Sequence, residues 1–208
     1  IYPTSDELPV NQLRFYIHFS GPMSDDRAAR AVHVCRVDNN KPLEGIFLEM
    51  EPELWDPEHR RLTLLFDPGR IKRGLVPNEE AGYPLTEGVP VTVTIAAEFR
   101  DSAGRPLRSG AERSYDIGPP VRARINPADW RYHYPTSGSM DPLTVGFDRP
   151  LDNALLQHSL WVKNMAGVAV PGQGFVGPGE RCWSFEPELP WEESHYQVWV
   201  DARLEDLA

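Results

Sequence analysis

The chain has only two cysteines, Cys35 and Cys182, among its 208 residues. They fall in different halves of the sequence, so neither half can carry a disulfide of its own. A zinc site built from cysteine thiolates needs three or four of them and is excluded by their number. The sequence therefore predicts two half-buried thiols on strands, where cysteine behaves as a small apolar residue.

Long apolar runs are also missing. No stretch approaches the roughly 20 apolar residues of a transmembrane helix, so the sequence predicts no membrane insertion. An N-terminal signal pattern is absent too. Because the sequence begins at Ile1 rather than at a methionine, we interpret it as a mature or trimmed polypeptide. On that interpretation the missing signal does not argue for the cytoplasm.

Positive charge is scarce, with 21 basic residues against 31 acidic ones and a net charge of −10. Proteins bind nucleic acid largely through cations that release counterions from the phosphate backbone. The sequence thus predicts no nucleic-acid partner, and anionic membranes are equally poor partners. An acidic surface of this kind typically keeps a protein in solution.

Proline, by contrast, is abundant: there are 21 prolines and 16 glycines. Prolines break long helices but are accepted at strand ends and turns. Apolar residues alternate along Leu13–Phe19, Leu62–Phe66 and Val89–Ala97, as in half-buried strands. The sequence predicts an all-β fold, with one helical turn at 25–31 and another at Asn153–His158.

The pattern at Leu13–Ser24 returns at Leu143–Asp152, which indicates an internal repeat. Further matches join Phe66–Pro68 to Phe185–Pro187 and Phe99–Ala103 to Leu204–Ala208. Between these, the strand face Val91, Val93 and Ile95 matches Tyr196, Val198 and Val200. The first copy continues past Gly104 to a closing strand at Glu112–Ile117. We therefore expect two domains, 1–119 and 126–208, the second without its last strand or with that strand beyond residue 208.

Three motifs carry a family resemblance: Phe19-Ser20-Gly21-Pro22-Met23, Phe66-Asp67-Pro68 and Asp101-Ser102-Ala103-Gly104, each echoed loosely in the second copy. Together with the proline-containing lead-in, they resemble the bacterial Ig-like domains first described in S-layer proteins. The resemblance implies two tandem Ig-like β-sandwich domains and an extracytoplasmic setting, whether periplasmic, secreted or at the cell surface. It implies no catalytic residues, because the family is mainly architectural. We expect a structural spacer or a protein-interaction surface whose partner is another protein or another domain of the same chain.

The insertion near 69–84 is longer than the family's usual connection. Its basic residues Arg70, Lys72 and Arg73 stand out on an acidic protein and adjoin apolar side chains. Such a cluster predicts a docking site for an acidic partner. The alternative is a solvated loop whose apolar residues cover one end of the sandwich.

Aromatic residues suggest a second binding region at 128–134, where Trp130 and Tyr132 are the candidate binding residues. The chain has six tryptophans, and exposed rings can stack on sugars. The alternative function is therefore a glycan- or metal-binding accessory domain of a larger secreted or surface protein. Trp183 and Trp199 point away from their apolar strand neighbours. They are therefore either buried or on an outer face, and burial is the usual fate of tryptophan.

Metal and catalytic sites find less support. None of the six histidines forms a pair at metal-binding spacing, although His18 and His33 lie on strands predicted to be neighbours, where the two side chains could be adjacent in space. Copper-carrying periplasmic proteins of similar sandwich shape begin with a histidine, whereas this sequence begins with Ile1. Calcium has possible ligands at Asp25-Asp26, Asp38-Asn39-Asn40 and Asp101, which turn formation also explains.

Catalytic motifs are equally weak. There is no Gly-x-Ser-x-Gly elbow, and neighbouring acids such as Glu192-Glu193 would point to opposite faces of a strand. We predict no enzyme activity, no cofactor and no metal.

Overall fold

A computed structural model describes residues 1–25 and 30–208. The predicted helical turn at 25–31 falls largely outside the described residues, as does Asp26 of the proposed calcium-binding pair. The fold is mostly β, with 35% of residues in strands and 12% in helices. Among the described residues, no helix is both long and apolar enough to cross a membrane.

Contacts between backbone positions divide the chain into two compact units. Unit 1 comprises Ile1–Tyr2, Asp6–Arg122 and Leu207–Ala208, and unit 2 comprises Pro3–Ser5 and Ala123–Asp206. Both sequence-based domains were continuous segments, but the two units exchange short pieces at the chain ends. These pieces have too few residues for an apolar pattern to assign them to one unit or the other.

Unit 1 contains two sheets. Its strands are β1 (Glu7–Pro9), β2 (Arg14–His18), β3 (Val32–Arg36), β4 (Leu54–Trp55), β5 (Arg61–Leu65), β6 (Val91–Ile95) and β7 (Ala111–Gly118). One sheet has the order β1-β7-β6-β3 and the other β2-β5-β4. Strand β1 runs parallel to β7, and the other pairs are antiparallel. Two short helices, α1 (Pro68–Ile71) and α2 (Val76–Ala81), occupy the long insertion.

Unit 2 has a four-stranded sheet and a two-stranded sheet. Its strands are β8 (Arg131–His133), β9 (Leu143–Gly146), β10 (Leu160–Asn164), β11 (Gly172–Val176), β12 (Cys182–Pro187) and β13 (Tyr196–Val200). The sheet orders are β11-β12-β9-β8 and β10-β13. Helix α3 (Asn153–Ser159) confirms the predicted second helical turn. It begins where the side chain of Asp152 accepts a hydrogen bond from the backbone N–H of Leu155.

Alternating side chains fill a separate core in each unit, and each core takes residues from both sheets of its unit. In unit 1 the ring of Phe15 packs against Phe47, Phe66 and Tyr115 at centroid distances of 5.5 to 6.2 Å. Large aromatic side chains of this kind supply much of the apolar area buried on folding. The period of two read from the sequence therefore identifies which strand faces are buried.

The internal repeat extends to individual backbone hydrogen bonds. Phe19 N–H donates to Arg60 C=O in unit 1, as Phe147 N–H donates to Arg181 C=O in unit 2. Ala96 N–H donates to Ala31 C=O in unit 1, as Asp201 N–H donates to Ser159 C=O in unit 2. Leu43 N–H donates to Val34 C=O as Val170 N–H donates to Val162 C=O. The bonds of Ala96 and Asp201 place Ile95 and Val200 at equivalent positions. They confirm the predicted match between the inward faces of β6 and β13.

One predicted match is wrong by two residues. The bonds to Arg60 and Arg181 make Phe185 the equivalent of Leu64, rather than of Phe66. A shift of two residues along a strand leaves every side chain on the same face. An alternating pattern therefore cannot exclude it, whereas the backbone hydrogen bonds can.

A buried carboxylate lies in unit 2. Glu180 is 1% exposed, and its side chain accepts hydrogen bonds from Thr4 N–H at 2.7 Å, Thr4 Oγ1 at 2.9 Å and Asn153 Nδ2 at 3.2 Å. Gly179 N–H in turn donates to Thr4 Oγ1 at 2.9 Å. Burial raises the pKa of Glu180, and these hydrogen bonds oppose that rise without cancelling it.

We expect Glu180→Gln to remove a pH dependence from the stability of unit 2. Because the folded-state pKa is raised, the stabilisation from this group is fully present below the ordinary carboxyl pKa. It is lost as the pH rises through the folded-state value. The free energy of unfolding of the wild type should therefore fall, relative to the Gln variant, as the pH rises above the ordinary carboxyl pKa. Urea denaturation below and above that pKa measures the difference, and a constant difference would contradict the assignment.

Candidate functional site

The basic insertion is partly self-contained. Arg70 Nε donates to Gly82 C=O at 3.0 Å, and its Nη2 donates to Tyr83 C=O at 2.9 Å. These carbonyls lie at the C-terminal end of α2, where a cation is favoured. Lys72 and Arg73 are exposed. Of the three predicted docking cations, one thus holds the insertion together and two face solvent. The sequence does not show this difference, because the acceptors of Arg70 lie at least eleven residues further along the chain.

We expect Arg70→Ala to loosen the α2 segment. Losing the hydrogen bonds of a charged donor costs about 1–3 kcal/mol locally. Hydrogen exchange followed by mass spectrometry should show faster exchange in residues 76–83. Arg73→Ala is the matched control, because it removes an exposed cation and should leave that exchange unchanged. Equal effects of the two substitutions would contradict this role for Arg70.

Trp130 and Tyr132, the predicted aromatic binding residues, lie in different environments. Trp130 is buried in the core of unit 2, where its ring meets Phe147 edge to face at 4.8 Å. Tyr132 on β8 is half-buried and stacks on exposed Tyr134, with ring centroids 6.1 Å apart. Burial raises the pKa of Tyr132, and the electrostatic effect of the Tyr134 phenol raises it further. The structure thus leaves Tyr132 accessible to a ligand and makes Trp130 a core residue.

Tyr132 borders a cleft of about 800 Å³ in unit 2. Tyr132 and Leu143 line it together with Trp191 and residues Tyr196–Val200 of β13. Trp191 Nε1 donates to Asp141 C=O at 2.8 Å, and the Trp191 ring meets Tyr196 edge to face at 4.9 Å. The cleft is therefore lined mainly by aromatic and aliphatic side chains, the usual character of a binding site.

The two tryptophans left open by the sequence fall in opposite environments. Trp183 is 3% exposed in the core, whereas Trp199 on β13 is 47% exposed. Trp161 on β10 stands directly opposite Trp199 and is 42% exposed. Lys163 Nζ lies 3.8 Å from the centre of the Trp199 ring, a cation–π contact. The outer face of the β10-β13 sheet therefore carries two adjacent, accessible indole rings.

The candidate metal ligands are dispersed or already engaged. His18 pairs with Arg61 on β5, whereas His33 pairs with Thr94 on β6, so the two histidines lie in different sheets. The expectation that their strands are neighbours was wrong, because strands adjacent in sequence need not pair. Among the described residues, no three His, Cys, Asp or Glu side chains are placed to hold a metal.

The turn residues have local roles. Asp101 accepts hydrogen bonds from the backbone N–H groups of Arg105 and Ala103 and from the Arg105 guanidinium. These bonds lower the pKa of Asp101.

Cys35 and Cys182 are free, half-buried thiols on strands, which confirms the prediction for both.

No protein-family model matches the chain, and no curated protein matches its sequence. The geometry of unit 2 therefore bears most directly on function. Its cleft offers apolar walls with Glu192 and Glu193 at one side, and both of these residues are exposed. Such a surface can bury apolar side chains of a ligand and stack against planar groups.

Proposed function

We propose that this chain is a non-catalytic, extracytoplasmic module of two tandem Ig-like β-sandwiches that binds a partner polypeptide. The partner is another protein or another domain of the same natural chain. The mostly β fold, the repeated hydrogen bonds and the resemblance to bacterial Ig-like domains support the architecture. The aromatic cleft of unit 2 carries the binding proposal.

The cleft is a better candidate surface than the basic insertion. Arg70 is engaged within the insertion, so only Lys72 and Arg73 remain for an acidic partner. Isolated surface cations contribute little binding energy. A concave apolar surface contributes more, because its contacts with a ligand exclude water.

Glycan binding is the second candidate. It is favoured by the paired rings of Trp161 and Trp199 on the outer face of the β10-β13 sheet. Adjacent exposed aromatic rings can stack on successive sugars. The side chain of Trp199 points to the opposite face of β13 from Val198, because successive side chains of a strand alternate between faces, although Trp199 also borders the cleft. Trp161 lies on β10, so substitutions at Trp161 and at Val198 separate the two functions.

The test probes the full chain with a random-peptide array and a glycan array. We expect peptides to be retained by the wild type and by Trp161→Ser, and lost from Val198→Asp, which places a charge in the cleft. Glycan binding that disappears in Trp161→Ser would establish the second candidate instead. Retention of no peptide by the wild type would overturn the proposed function.

A further inference from the structure

Strand β13 has an open edge. Its equivalent in unit 1, β6, lies between β3 and β7 and pairs with both. Within the described chain, β13 pairs only with β10. The described sheet of unit 2 therefore contains no equivalent of β7. On its other side, β13 pairs with β10 as β6 pairs with β3.

The hydrogen-bond pattern shows which backbone groups face the open edge. Asp201 N–H donates to Ser159 C=O, and in an antiparallel pair the bonded positions recur at every second residue. Trp199 and Gln197 therefore exchange bonds with β10, as their pairing with Trp161 and Lys163 requires. The N–H and C=O groups of Tyr196, Val198 and Val200 face away from β10, at the spacing that an added strand recognises.

Side-chain exposure points to the same missing strand. On β6 the inward residues Val91, Val93 and Ile95 are 1%, 0% and 3% exposed. Their equivalents on β13 are only half-buried, and they line the cleft. In unit 1 the inward residues of β7, Tyr115 and Ile117, are buried in the core that β6 also lines. Unit 2 has a cleft beside the corresponding strand.

We infer that the cleft and the open edge of β13 together accept an extended polypeptide strand, which pairs antiparallel with β13 as β7 pairs with β6. The strand belongs to a separate partner protein and carries apolar side chains at alternate positions, as the apolar lining of the cleft requires. This inference rests on the proposed function and specifies its binding mode. Exposed sheet edges readily take up such strands, with main-chain bonds giving affinity and side-chain pockets giving specificity.

A peptide with the sequence of residues 108–119 is the natural probe, because it reproduces β7. In unit 1, β7 positions 111, 113 and 115 stand opposite Ile95, Val93 and Val91, whereas Asp116 N–H points away from β6 and donates to Asp6 C=O. N-methylation of Arg113 and Tyr115 in the peptide therefore blocks pairing with a β6-like edge. N-methylation of Ser114 and Asp116 is the matched control, because it adds the same two methyl groups on the opposite edge.

We expect the unmodified peptide and the control to bind the full chain with affinities within about threefold of each other. Methylation at Arg113 and Tyr115 should weaken binding at least tenfold, or about 1.4 kcal/mol. Calorimetry measures the affinities. Hydrogen exchange should show new protection of the amides of Tyr196, Val198 and Val200, with no change in 91–95, which excludes exchange of the peptide with β7.

Several outcomes would overturn strand addition. If both methylation patterns weaken binding equally, the peptide fills the cleft without pairing, and the proposed function survives. If the peptide fails to bind while other array peptides bind the cleft, a strand of this chemistry is not the occupant. Protection of 196–200 in a stable dimer without peptide would assign the edge to a second copy of the chain.

Discussion

Val93→Asp should unfold unit 1, whereas the same substitution at the equivalent Val198 should leave unit 2 folded. Val93 is 0% exposed at the centre of β6, which pairs with a strand on each side. A carboxylate buried there without a partner costs several kcal/mol, a large share of the roughly 5–15 kcal/mol that stabilises a typical domain. Val198 faces the cleft and is half-buried, so an Asp there remains hydrated and should cost about 1 kcal/mol.

Hydrogen exchange at residues 91–95 and 196–200 reports on the two strands separately. Val93→Asp should remove the protection of β6, and Val198→Asp should leave the β13 bonds to β10 in place. Val93→Ala serves as a size control that introduces no charge, and it should keep unit 1 folded. If the two Asp variants lose similar amounts of stability, the inward face of β13 is not accessible to water, and the argument for an open cleft fails.

Trp191→Ala should destabilise unit 2 by about 3–5 kcal/mol, the usual cost of removing a buried tryptophan. Its ring is 5% exposed and packs against Phe185 and Tyr196, at centroid distances of 6.0 and 4.9 Å. The Nε1–H bond to Asp141 C=O is lost as well. Trp199→Ala should cost less than about 1 kcal/mol, because that ring is half exposed and its main contact is with Lys163.

Chemical denaturation followed by circular dichroism measures both effects. Trp191→Phe divides the loss at Trp191, since it keeps an aromatic ring but not the hydrogen bond, and it should recover most of the stability. A small loss for Trp191→Ala, comparable with that for Trp199→Ala, would contradict the burial of Trp191 in the core of unit 2.

The strand faces could be predicted from the sequence because burial imposes a period of two on the chain. Val91, Val93 and Ile95 alternate with polar residues and are buried. The match of this face to Tyr196, Val198 and Val200 is confirmed. The residue directly after each strand, Ala96 or Asp201, donates an equivalent backbone hydrogen bond. The repeat predicts that the second copy lacks its last strand or has that strand beyond residue 208, but no sequence pattern indicates the cleft beside β13.

The misassigned features depend on contacts between distant residues. The pairing partners of His18 and His33 lie on strands far along the chain, and apolar alternation does not specify which strands are neighbours. The acceptors of Arg70 are loop carbonyls, whose position depends on two short helices that the sequence presents only as a long connection. Trp130 and Tyr132 are two residues apart with different burial, because Trp130 precedes β8 rather than lying within it.

The exchange of short pieces at the chain ends limits how the protein can be dissected. Thr4, which donates two hydrogen bonds to Glu180, lies more than one hundred residues before the rest of unit 2. A fragment expressed from residues 123–206 would lack these donors and would leave the buried carboxyl group of Glu180 with fewer hydrogen-bond partners. Likewise, the backbone carbonyl of Leu207 accepts a bond from Leu13 N–H within unit 1. Gene fragments divided between residues 122 and 123 should therefore be less stable than the intact polypeptide.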